Sequence, residues 1–87
     1  MAKIEKDIKI INCQGLHARP AARFVQIALK YDASLAVSKD GQTINGKSIM
    51  GILMLGAQQN SMITLVADGD DAPDLIQELE GFLSQNE

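Results

Sequence analysis

The final amphipathic segment of this 87-residue chain limits the architectures open to it more than any other feature. Ala72, Leu75, Ile76, Leu79, Phe82 and Leu83 recur at helical spacing, so a helix here carries one apolar stripe and must bury it against a second layer. Acids at 70, 71 and 74 stand near its N-terminus, where the partial positive charge of a helix favours them. Upstream the period switches between strand and helix. Ile8 and Ile10 alternate with Asp7 and Lys9 over residues 6–11, the signature of a strand with one wet face. From Ala18 the apolar Ala21, Phe24, Val25 and Ala28 fall at helical spacing as far as Lys30, with Pro20 in the first turn, where its missing N–H is no loss. Leu35 and Val37 alternate within residues 34–38, Lys39, Asp40 and Gly41 turn the chain into a strand over 42–45, and Ile63, Leu65 and Ala67 mark a further strand over 62–67. Residues 49–55 are apolar apart from Gly51 and lie between Ser48, a good N-cap, and Gly56, a good helix stop. Their periodicity fits a short helix or a buried strand. The order of elements suits an antiparallel sheet with helices on one face.

A chain of this length is expected to form one domain, residues 1–87, whose core is small enough that most apolar side chains must be buried. No apolar run approaches the roughly 18 residues of a membrane span, and residues 1–7 are charged rather than signal-like, so a cytoplasmic protein with no membrane association is expected. The single cysteine, Cys13, fits a reducing compartment and is expected to pack rather than react. All 8 Lys and Arg fall within residues 1–47, whereas 48–87 carry acids and no base. Such a polarised chain can steer an acidic partner surface toward its basic half. Nucleic acid is a poor partner, because a net charge of −3, two phenylalanines and one tyrosine supply neither a basic stripe nor a row of stacking rings. No cluster of His, Cys and acids has metal-ligand spacing, and no glycine-rich loop suits a nucleotide, so neither metal nor cofactor is expected.

The chemistry concentrates in Gly15, Leu16, His17, Ala18, Arg19, Pro20 and Ala21. The only histidine stands where a loop enters a helix. Its neutral ring is a nucleophile near pH 7, and the unpaired N–H groups of a helix start, including that of Ala18, suit an anion formed there. Arg19 adds a planar donor fork that fits phosphate oxygens. An arginine at the positive end of a helix is slightly unfavourable, which favours an anionic partner. Histidine is also not a leading N-cap residue, so its place at this corner asks for another purpose. A thiol enzyme built on Cys13 and His17 is the competing reading, but no third orienting group or oxyanion site accompanies the pair.

This run, followed by Phe24 and Val25 and then by Lys47, Ser48, Ile49, Met50 and Gly51, closely resembles the histidine-containing phosphocarrier (HPr) family of the bacterial sugar phosphotransferase system. The resemblance implies an α+β, open-faced two-layer sandwich, with a four-stranded antiparallel sheet and three helices on one face in the order βαββαβα. It therefore favours the helix for 49–55. It also implies that His17 accepts a phosphoryl group on Nδ1 from phosphorylated enzyme I and passes it to enzyme IIA domains. The protein would then be a covalent carrier rather than a turnover enzyme, and a monomer is expected. A paralogous carrier of a nitrogen-related branch, or a purely regulatory module of the same fold, is the alternative.

The Lys47–Gly51 match resembles the regulatory serine site of phosphocarriers, where an HPr serine kinase/phosphorylase modifies the residue here numbered Ser48. Added charge at Ser48 would oppose an acidic partner docking beside it. If Ile52 and Leu55 face the sheet, then Ile49, Met50, Leu53 and Met54 are left to form a docking face with Ala22, Arg23 and Gln26, which flank His17. Enteric forms of the family carry lysines where this chain has Gln26, Leu29 and Gly51, so apolar contact is expected to weigh more in its recognition.

Overall fold

The computed structural model describes residues 3–11, 15–16 and 18–84. The elements are β1 (Lys3–Lys9), α1 (Ala18–Leu29), β2 (Ser34–Lys39), β3 (Gln42–Asn45), α2 (Ile49–Leu55), β4 (Met62–Asp68) and α3 (Ala72–Leu83). The four strands form one antiparallel sheet in the order β1-β4-β2-β3. This is the open-faced βαββαβα sandwich expected from the sequence.

Register explains which face is covered. Ile8 stands opposite Ile63, Val37 opposite Leu65, and Leu35 opposite Ala67, so these buried side chains share one face. On that face α3 lies across β1 and β4, α2 lies against β3 and β2, and α1 packs on both helices. Phe24, Ile52, Leu75 and Leu79 seal the core from the helix side. The other face carries Glu5, Asp7, Ser38, Thr43 and Thr64, with a hydrogen bond between Asp7 and Thr64 at 2.7 Å and another between Ser38 and Thr43 at 2.8 Å.

The first strand departs from its expected span. It begins at Lys3 and ends at Lys9, whereas alternation alone places it over 6–11. The register explains the shift: Lys6 sits opposite Leu65 on the helix-covered face, where the pattern calls for an apolar residue. Its ammonium reaches beyond the core to Glu80 of α3 at 2.7 Å. Ile10, past the strand end, is fully buried and still donates its N–H to Ser61 at 3.0 Å.

One hairpin turn and the two caps of α2 set where these elements begin and end. Asp40 and Gly41, both at positive φ (52° and 84°), form the left-handed pair that joins twisted strands in a two-residue hairpin. Ser48 caps α2 by accepting the Gly51 N–H at 3.1 Å, and Gly56 ends it at φ 64° with its N–H donated to Leu53. Segment 49–55 is therefore a helix, stopped at both ends by the residues that bound it in the sequence.

Candidate functional site

His17 and Cys13 lie outside the described residues, but the chain is described on both sides of position 17. On the N-terminal side, Gly15 and Leu16 are buried, and the Leu16 N–H donates to the Ala57 carbonyl at 2.8 Å. Gly15 has φ +67°, and a Cβ there would lie 2.7 Å from the Ala57 oxygen and 2.9 Å from the Gln58 Cα. Glycine is thus required both by conformation and by close approach. On the C-terminal side α1 begins at Ala18; Ala18 and Arg19 are exposed, while Pro20 is buried. The first turn of α1 contains no acid to compete with an anion for its N–H groups.

Helices α1 and α2 run antiparallel. The Leu16–Ala57 bond ties the start of α1 to the residue just past the end of α2. At the opposite end the Lys47 ammonium donates to the Tyr31 carbonyl at 2.7 Å, joining the exit of α1 to the start of α2. Ser48 therefore stands near the C-terminal end of α1, the end opposite Ala18, and a 12-residue helix is about 18 Å long. Between these ends lies the solvent side of both helices. Arg19, Arg23 and Gln26 are exposed on α1, with Ala22 half-buried between them. On α2 Met50 and Met54 are 67% and 65% exposed, Ile49 and Leu53 are also exposed, and Ile52 and Leu55 are buried. Arg19, Arg23 and Gln26 on α1 and Ile49, Met50, Leu53 and Met54 on α2 are thus exposed on two helices that touch each other.

Long-range polar contacts hold the exit of α1, and local sequence gives no sign of them. Glu78 of α3 accepts both the Lys30 ammonium and the Tyr31 hydroxyl, and those two bonds, in that order, hold its carboxyl below the usual range. The same contact, helped by desolvation, pushes Tyr31 up to about 12. Asp71 stands at the N-cap of α3 but makes no side-chain cap bond there. Its carboxylate instead accepts the N–H groups of Asp32 and Ala33, each at 2.9 Å. These donors, Asp32 foremost, lower its pKa, with a smaller contribution from Lys47, while desolvation works the other way. Lys47 thus has a structural role at this junction and keeps its positive charge.

Among the described residues no group of three His, Cys, Asp or Glu is placed to hold a metal ion, and no helix is long and apolar enough to cross a membrane.

Comparison with known proteins bears on the family and the fold. The family profile described as "PTS HPr component phosphorylation site" matches residues 4–85. The HPr-like protein Crh of Halalkalibacterium halodurans is 38% identical over 82 residues, covering 94% of this chain and 98% of that protein. Among solved structures, the phosphocarrier protein HPr of Bacillus anthracis superposes with a TM-score of 0.92 at 41% identity, covering 95% of this chain and 99% of that one. HPr-C-His of Thermoanaerobacter tengcongensis gives 0.88 at 46% identity, over 92% and 90% of the two chains.

Proposed function

Since this chain belongs to the HPr phosphocarrier family of the phosphotransferase system, we propose that it carries a phosphoryl group on His17. The group arrives from phosphorylated enzyme I and leaves for enzyme IIA domains, all in the cytoplasm. In the first transfer a P–N bond on the donor breaks and a P–N bond to Nδ1 of His17 forms, so the donor imidazole is regenerated. In the second, a side chain of the enzyme IIA domain attacks the phosphorus, its new bond to phosphorus forms as the P–N bond at Nδ1 breaks, and the His17 imidazole is regenerated as the leaving group. The carrier contributes a nucleophile and a cradle for the phosphate, and the reaction spends no cofactor of its own.

The observation that supports this most is the junction around position 17. A buried, hydrogen-bonded Leu16 precedes it, and an acid-free helix start with exposed Ala18 and Arg19 follows it. N–H groups at such a start favour a phosphoryl oxygen, and the Arg19 fork can take another. We further propose that the two-helix face formed by Ala22, Arg23, Gln26, Ile49, Met50, Leu53 and Met54 receives the partners. Phosphorylation of Ser48 by an HPr serine kinase/phosphorylase would weaken that docking by charge.

Incubation with phosphoenolpyruvate and a candidate donor kinase tests the reading. An adduct that survives alkali and is lost in acid is the expected result; failure to form one with any competent donor contradicts it. A second reading, a regulatory module that signals through Ser48, draws on the likeness to the HPr-like protein Crh and on the half-buried Ser48 cap. A protein that accepts phosphate on Ser48 and never on His17 would establish that alternative.

A further inference from the structure

Residues 57–61, in the connection between α2 and β4, make more contacts than a plain connection needs. The Ser61 hydroxyl accepts the Gln58 N–H at 3.0 Å and donates to the Gln58 carbonyl, while the Ser61 N–H donates to that same carbonyl at 3.0 Å. The turn is therefore closed on itself. Asn60 within it holds φ +73°, a conformation that non-glycine residues seldom adopt. From this closed turn four hydrogen bonds reach one other stretch of chain. Asn60 N–H donates to the Ile10 carbonyl at 2.8 Å, and Ile10 N–H donates to Ser61 at 3.0 Å. Gln59 Nε2 donates to the Ile11 carbonyl at 3.2 Å, and Leu16 N–H donates to Ala57 at 2.8 Å. The turn thus grips the β1–α1 connection at two places, residues 10–11 and residues 15–16. Position 17 follows the second grip by one peptide bond.

We infer that the Ala57–Ser61 turn is a positioning element for phosphoryl transfer at His17, with Ser61 as the residue that sets its shape. This rests on the proposed role of His17 as acceptor. Ser61 acts through Gln58, Ala57 and Leu16. Leu16, held by Ala57, and the start of α1 are the two anchors between which residue 17 is linked, and holding the first of them is what the turn contributes. Transfer between two protein-bound imidazoles needs the nucleophile in line with the leaving group, and small displacements of a reacting atom are costly in rate. The close approach of Gly15 to Ala57 and Gln58 serves the same end, because any side chain there would push the two segments apart.

Ser61→Ala and Ser61→Thr in the intact chain, with phosphoenolpyruvate and the donor kinase, test the proposal. The expected result for Ser61→Ala is a folded protein whose transfer rate at saturating donor falls by about tenfold or more. Its half-saturating donor concentration should stay within about twofold, because the docking face is untouched. The imidazole titration of His17, followed by NMR, should shift as well, and Ser61→Thr should restore both properties. Should Ser61→Ala fail to fold, Gln59→Ala removes only the bond to Ile11 from an exposed side chain and should lower the rate in the same way. A folded Ser61→Ala with parental transfer rate and parental imidazole titration would overturn the proposal, as would a loss that Ser61→Thr does not repair. Absence of label on His17 in the parent protein would instead remove the acceptor role from which the proposal starts.

Discussion

The carboxylate of Asp71, at the mouth of α3, accepts the backbone N–H of Ala33 at 2.9 Å. It also accepts that of Asp32, so one side chain fixes the chain just after α1. Because the folded state lowers the pKa of Asp71, its contribution is fully present above the ordinary value of 3.8 and is lost as pH falls through the lowered folded value. Glu78 has the same sign. Asp71→Asn should therefore lower the urea midpoint at neutral pH and make the acid side of the stability profile less steep. Equal midpoints for parent and variant at neutral pH would contradict this.

Ser48 separates a structural from a regulatory effect. Ser48→Ala removes the acceptor of the Gly51 N–H and should cost about 1 kcal/mol, seen as a Tm fall of roughly 4–8 °C. Ser48→Asp keeps a good cap and should melt near the parent, yet its charge should slow phosphorylation of His17. Parental phosphorylation rates in Ser48→Asp would remove the regulatory role.

Met50 and Ile52 are two residues apart and should behave oppositely. Met50→Glu alters a side chain that is 67% exposed, so melting should stay normal while affinity for donor and acceptor proteins falls. Ile52→Ala empties a fully buried position and should cost about 2–5 kcal/mol by denaturant titration. Gross destabilisation by Met50→Glu would place it in the core and end its candidacy for docking.

Arg19 is exposed on the first turn of α1, so Arg19→Ala should leave the fold intact and slow phosphoryl transfer in quenched flow. Arg19→Lys should recover only part of the rate, since it keeps the charge and loses the fork. Unchanged rates in Arg19→Ala would count against the phosphate contact.

Much of the fold was legible in the chain because local signals and burial agree. Leu75, Ile76 and Leu79 are buried at helical spacing, and Asp40–Gly41 makes the hairpin that its composition announces. Residues 49–55 were ambiguous by period alone, and the caps Ser48 and Gly56 settle them as a helix. Lys6 misled the reading of β1, since a long side chain can lie over a core edge and still place its charge on Glu80. Residue types at 15–21 were enough to mark a candidate anion site. The anchors around it were not legible, because Leu16 and Ala57, and Lys47 and Tyr31, are distant in the sequence and meet only in the tertiary fold. A serine three residues after Gln58 was the one local hint of the closed 57–61 turn.

Peptide mapping by mass spectrometry after phosphoenolpyruvate and donor treatment bears most directly on the central claim. One phosphoryl group on His17, absent from His17→Ala, is the expected result. Label on another residue, or undiminished label in His17→Ala, would contradict it.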